Sequence, residues 1–300
     1  MTQLALHHKH PAPPARRALH FTGRTLLYLL ICFGAFIFTL PFLWMLSTSL
    51  TPKEWVGVVP MRWIPPRLEW NNYVLPWSLF PFPAFYRNTI VITFTNVLGV
   101  LLSASLVAFG FARIRFWGRD VIFLMTLATM MLPTQVTLIP QYLLWSRLHA
   151  INTYWPLIVP NFLGSAAYDI FLLRQFYMTI TTELDDAARI DGCGWFGIYR
   201  RILLPQIAPA LGVLAIINFS FNWNDFFGPL IYINEPQRFT VALGLRLFQV
   251  GRSAGGGGML DVRMPQIMAM TIVSMIPVLL VFFLAQRYFI QGIVITGVKG

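Results

Sequence analysis

The chain has 300 residues, of which 57% are hydrophobic, 15% aromatic and only 11% charged, with a mean hydropathy of +0.64. Soluble domains average about 45–50% apolar and about 25% charged residues, so these proportions exclude an ordinary soluble enzyme and a disordered chain, and point to an integral membrane protein. The net charge of +11 is spread along the chain without the basic and aromatic clusters that grip nucleic acid. No nucleic-acid partner is expected, and the excess reads as a topology signal.

Taken in chain order, residues 1–24 hold His7, His8 and His10 among Pro11, Pro13 and Pro14, and read as a disordered cytoplasmic segment. A helix crossing the ~30 Å hydrocarbon core needs about 20 mostly apolar residues. Runs free of Asp, Glu, Lys and Arg extend over Thr25–Pro52, Asn88–Ala112, Val121–Ser146, Leu148–Tyr168, Ile202–Asn224 and Met264–Gln286, with lengths of 28, 25, 26, 21, 23 and 23 residues. The expected fold is therefore all-α, a polytopic membrane protein with six transmembrane helices in residues 25–300. A seventh run, Trp70–Tyr86, is only 17 residues long and contains Pro76, Pro81 and Pro83, so it reads as an interfacial segment. The apolar body of the first run, Leu26–Leu46, is longer than a signal-peptide core and is read as an uncleaved helix.

The shortest loop, Arg113–Arg119, carries three Arg in seven residues, and short loops report orientation best. With that loop inside the cell, both termini are cytoplasmic, 47–87 and 227–266 are extracytoplasmic loops, and 288–300 form a cytoplasmic tail. The second outside loop contains the run Gly255–Gly258, a flexible tip by its backbone freedom.

Residues 181–205, between the fourth and fifth runs, read as helix, turn, helix. Thr182 is placed to cap the first helix, with Asp185 three residues on and acidic side chains in the first turn, where the helix dipole favours them. Leu184, Ala187 and Ala188 form a small apolar face. Asp191-Gly192 ends the helix, Gly192 suiting a left-handed position. Trp195, Ile198, Tyr199, Ile202 and Leu203 then form an amphipathic stripe, and Pro205 opens the fifth span. Two readings fit such a cytoplasmic hairpin: a helix lying on the bilayer, or a docking element for a partner.

The run Glu183-Leu184-x-Asp186-Ala187-Ala188-x-Ile190-Asp191-Gly192, closed by Leu204-Pro205, resembles the EAA loop of ABC-importer membrane subunits. Asp186 stands where that family usually carries Glu. Pro41-Phe42-Leu43-Trp44-Met45, Trp223-Asn224-Asp225-Phe226 and Gln286-Arg287-Tyr288 resemble the sugar-importing branch, in particular the smaller membrane subunit of maltose-type transporters. The resemblance implies a cell-membrane permease that pairs with a second homologous permease, two cytoplasmic ATPases and an extracytoplasmic substrate-binding protein. It also implies that Glu183, Asp186, Ala187, Ala188, Asp191, Gly192 and Pro205 form the ATPase-coupling loop, with Asp186 pairing to a basic residue of the ATPase.

The chain's three lysines, Lys9, Lys53 and Lys299, lie in no phosphate-binding loop, so no cofactor is expected in this chain and ATP would be bound by the partner ATPases. No metallohydrolase or nucleophile-elbow pattern is present, and the chain is not read as an enzyme. A secondary, ion-coupled transporter is the competing class, although no repeat relates the two halves, and an ABC permease subunit for a non-sugar solute is the other alternative. Asn218, Asn222, Asn224 and Asp225 read either as a polar pathway lining or as interhelical hydrogen-bonding groups.

Overall fold

A computed structural model describes residues 14–58, 62–253 and 264–297. The N-terminal histidines and the run Gly255–Gly258 lie outside the described residues. Among those described, all regular structure is helical.

The chain opens with α1 (Pro14–Ser49), a short interfacial α2 (Asn71–Leu79) and α3 (Phe82–Arg113). Next come α4 (Arg119–Thr129) and α5 (Thr134–Arg147), then α6 (Trp155–Phe162) and α7 (Ala167–Thr179). The 181–205 hairpin consists of α8 (Glu183–Ile190), a turn, α9 (Trp195–Gly197), a π-helical segment Ile198–Leu203 and α10 (Leu204–Gln206). The remainder is α11 (Ala208–Trp223), α12 (Phe227–Tyr232), α13 (Val241–Ser253) and α14 (Met264–Gly297).

Among the described residues four helical stretches are long and apolar enough to cross a membrane, and five if the bent pair 195–206 and 208–223 is one span. The six expected spans are therefore redrawn. Val121–Ser146 is divided between α4 and α5, because Pro133 cannot donate a backbone N–H and the chain turns over 130–133. The fourth span runs from Trp155 to Thr179 with a break at 163–166, where Gly164 adopts φ +73°. Pro205 does not run straight into the fifth span: α10 ends at Gln206, and a 75° bend separates it from α11. Pro209, which has no N–H to offer the carbonyl of residue 205, lies in the first turn beyond that bend.

Three other segments contain more helix than the six runs imply. Helix α1 begins at Pro14, so Pro14–Arg24 is helical rather than disordered. The tail beyond residue 287 continues α14 to Gly297. The described part of the stretch 227–266 contains two helices, α12 and α13, before α14 begins at Met264.

The bundle is built around α3, which packs against α6, α7 and α11, while α14 packs against α11 and α1. The buried face of α3 carries Gly99, Ser103, Ala104, Ser105 and Ala108, small residues that let neighbouring backbones approach. Its polar side chains bond across helices, as a bilayer interior requires. Ser103 Oγ donates to the carbonyl of Asn161 (2.7 Å), and Asn96 Nδ2 donates to Asn222 Oδ1 (2.7 Å). One apolar cluster gathers Phe109, Phe111, Ile170, Leu173, Tyr177 and Leu203 at the hairpin end. A second gathers Phe82, Phe85, Phe239, Phe248 and Met270 at the opposite end.

Candidate coupling site

Helix α8 ends as its sequence dictates. Asp191 is the last half-helical residue and Gly192 follows at φ +80°. The N–H of Gly192 donates to the carbonyl of Arg189 (3.0 Å) and that of Cys193 to the carbonyl of Ala188 (2.9 Å). Those two bonds are the Schellman pair, which satisfies carbonyls that would otherwise be orphaned. The guanidinium of Arg189 lies 4.0 Å from the centre of the Trp195 ring, a cation–π contact that closes the hairpin across its turn.

The start of α8 departs from expectation. Thr182 has helical backbone angles and makes no side-chain cap bond. Asp185 does not complete a capping box; it turns inward, where its Oδ2 lies 3.3 Å from Nε of Arg113, the last residue of α3. Both side chains are nearly fully buried, at 7% and 4% exposure. Arg113 also donates to the carbonyl of Ile180 (2.8 Å), so one guanidinium clamps the end of α7 and the first turn of α8 to the end of α3. Burial raises the Asp185 carboxyl above its ordinary range, partly opposed by Arg113 and Arg189. Losing one partner of such a pair costs about 3–5 kcal/mol, because the remaining charge has no compensation.

The second arm is held by rings. Phe109 of α3 meets Tyr199 at 5.4 Å, Tyr177 at 6.0 Å and Trp195 at 6.2 Å between centroids. The hairpin is thus a rigid projection from α3 and α7.

Of the residues read from sequence, Glu183, Asp186 and Ala187 are exposed on one face of α8, as are Asp191 and Gly192 in the turn. Ala188 is buried against the hairpin-end cluster, and Leu184 is exposed rather than part of a buried apolar face. Pro205 is exposed in the first turn of α10. Ile190, 87% exposed, lies in the EAA-like run but outside the expected coupling residues, and it completes the i, i+3, i+4, i+7 face of Glu183, Asp186 and Ala187. Arg113 and Asp185 were also missed as site residues; the available signal was an Arg closing an apolar run. Beside α8 opens a cleft of about 550 Å³, lined by Arg113, Arg115, Arg119, Asp185, Asp186 and Arg189.

The four polar residues at the end of α11 and just beyond it have different partners. Asn218 Nδ2 donates to Asp169 Oδ1 of α7 (2.9 Å), and Asn222 Nδ2 donates to the carbonyl of Asn218 (2.8 Å) while its Oδ1 accepts from Asn96. These amides tie α3, α7 and α11 together. Asn224 is exposed and bonds the carbonyl of Ser220 (2.8 Å). Asp225 Oδ1 accepts from the N–H of Gly228 (3.1 Å), ordering the start of α12. Among the described residues no group of three or more His, Cys, Asp or Glu is placed to hold a metal ion.

The family of binding-protein-dependent transport system inner membrane components matches residues 96–295. The chain belongs to that family. It is a multi-pass permease subunit of an ABC importer and not an enzyme. The permease is 31% identical to the arabinooligosaccharides transport system permease protein AraQ of Halalkalibacterium halodurans, over 92% of this chain and 96% of that one. It is also 31% identical to the sn-glycerol-3-phosphate transport system permease protein UgpE of Yersinia enterocolitica, over 79% and 83% of the two chains. In fold it is similar to a chain of a crystallised bacterial ABC transporter that imports the acidic polysaccharide alginate, with a TM-score of 0.77 at 21% identity, covering 94% of this permease and all of that chain.

Proposed function

We propose that the permease imports a sugar, a related polyol or a sugar phosphate, and that its 181–205 hairpin couples this import to two ATPase subunits. A second homologous permease completes the pathway, and an extracytoplasmic binding protein delivers the substrate. The substrate class rests on what the relatives are named for. ATP is bound by the ATPases, and this chain contributes the surface they push.

The observation that carries the coupling role is the outer face of α8. Glu183 and Asp186 are exposed carboxylates beside exposed Ala187 and Ile190, on a hairpin whose opposite face is locked to α3. Ala187 admits close approach, Ile190 offers an apolar knob, and Asp186 offers a charge to a basic residue. Arg113, Arg115, Arg119, Arg189, Arg200 and Arg201 gather at the hairpin end, which supports placing that end in the cytoplasm. The end of α1 supports cytoplasmic termini: Ser49 bonds Tyr73 next to the far end of α3, so the start of α1 lies on the hairpin side.

The test is affinity purification of the tagged permease from its host membrane in mild detergent, followed by mass spectrometry. An ATPase, a second permease and, on crosslinking, a binding protein are expected. Asp186→Lys is expected to lower ATPase recovery about tenfold while leaving the second permease bound. Undiminished ATPase recovery and transport by Asp186→Lys would remove α8 as the docking face.

A further inference from the structure

Among the described helices long enough to span a membrane, α3 is distinctive. The fourth and fifth spans are broken, and α1 and α14 carry Pro41 and Pro277 inside them, whereas α3 runs 32 residues with no break and no interior proline. At 1.5 Å per residue that is a rod of about 48 Å.

Both ends of the rod are fastened by polar bonds to segments on opposite faces of the bundle. At the hairpin end Arg113 holds Asp185 and the carbonyl of Ile180. At the other end Asn88 Nδ2 donates to the carbonyls of Gln237 (2.8 Å) and Phe239 (3.1 Å), and Thr89 Oγ1 accepts from the N–H of Val241 (2.8 Å). Asn88 and Thr89 are buried, so these bonds form without competition from water. Between the ends, close packing resists bending: a methyl added to Gly99 would lie 2.6 Å from the Phe162 ring.

We propose that α3 is a strut that carries displacement of the coupling hairpin to segment 237–241 on the opposite face, with Arg113–Asp185 and Asn88 as its two joints. The proposal rests on the reading that the hairpin receives an ATPase. Arg113, Asp185 and Asn88 are positioning residues: they touch no nucleotide or substrate, and they fix one moving part to another. Because equilibrium coupling is reciprocal, an event at segment 237–241 acts on the hairpin with the same free energy.

The test uses the complex co-purified from its host, in lipid nanodiscs, with Cys32→Ser and Cys193→Ser in the permease. Gln237→Cys carries an environment-sensitive fluorophore; its side chain is exposed, and the bond to Asn88 uses only its backbone. Magnesium ATP with vanadate is expected to shift the emission in this parent. Asp185→Asn and Asn88→Leu are each expected to reduce the shift per vanadate-trapped nucleotide at least about fivefold, and the double variant to lose no more than the worse single. Joint Arg113→Asp and Asp185→Arg substitution is expected to recover part of the shift lost in Asp185→Asn. Should Asn88→Leu fail to assemble, Thr89→Val removes the neighbouring bond at the same joint. A full shift in either single variant overturns the strut, as does a parent that traps nucleotide and shows no shift. A parent that holds no ATPase overturns the coupling reading itself, and the strut with it.

Discussion

The hydroxyl of Tyr199, in the second arm of the hairpin, and that of Ser105, on α3, share a buried hydrogen bond of 2.8 Å. The two ends of this bond are unequal. Ser105 Oγ also lies 3.1 Å from the carbonyl of Leu102, so it keeps a partner when Tyr199 is changed. Ser105→Ala strands the Tyr199 hydroxyl in the core and should destabilise the permease by about 1–3 kcal/mol. Tyr199→Phe should cost less, and the double variant less than the sum of the singles. Thermal denaturation of the purified permease checks all three; equal penalties for the singles would show that the hydroxyl finds another partner.

Gly192 isolates backbone strain from sterics. It holds φ +80°, and a Cβ there would meet nothing within 4 Å. Gly192→Ala should therefore cost about 1–2 kcal/mol from the left-handed backbone alone, and Gly192→Asn less. The loss should appear as faster heat release of the ATPase from the assembled complex. Equal retention by the Ala and Asn variants would speak against the left-handed turn as the cause.

On α3 two glycines make an internal control. A Cβ on Gly99 would press into the Phe162 ring at 2.6 Å, whereas one on Gly110 would meet nothing within 4 Å. Gly99→Ala should destabilise by about 1–3 kcal/mol and be relieved by Phe162→Leu. Gly110→Ala should stabilise by about 0.5–1 kcal/mol through helix propensity. A melting series of the four variants reads the signs directly.

Asp225 supplies a pH dependence. Burial raises its carboxyl above the ordinary 3.8, partly opposed by the N–H groups of Gly228 and Phe227. Between 3.8 and that raised value the folded permease holds a proton that the unfolded chain has released. Stability present at lower pH is therefore lost as pH rises through the window. Asp225→Asn keeps an acceptor for Gly228 and cannot titrate. The melting temperature of the parent should fall relative to that of Asp225→Asn as pH rises from about 4 toward neutrality. A constant difference would assign the effect of Asp225 to something other than its charge.

The second uncharged run became α3 with little change, and Gly192 took its left-handed turn, because apolar runs and turn residues act locally. The third run is divided between α4 and α5, and the fourth span is shifted to Trp155–Thr179, for one reason. Absence of charge marks lipid compatibility, but it does not mark where a helix breaks. Nor does charge always end a span: Asp169 is answered by Asn218, and Arg174 lies 4.2 Å over the Phe123 ring, so both lie inside α7. Asp185 looked like part of a cap because its partner, Arg113, is 72 positions away, and no local pattern reports that pairing. Ile190 belongs to the run that resembles the EAA loop, but sequence alone does not report that its side chain is exposed beside Glu183, Asp186 and Ala187.

Helix α1 has a consequence for biogenesis. None of its most apolar window is buried, and its main helical neighbour is α14, at the other end of the sequence. Because α1 precedes α14 in the chain, it must stay dissolved in lipid as a lone apolar helix while the bundle forms around α3, and it docks only after α14 has been inserted. During synthesis the newborn permease is thus open on one flank, and the seam between α1 and α14 closes only once α14 is in the membrane.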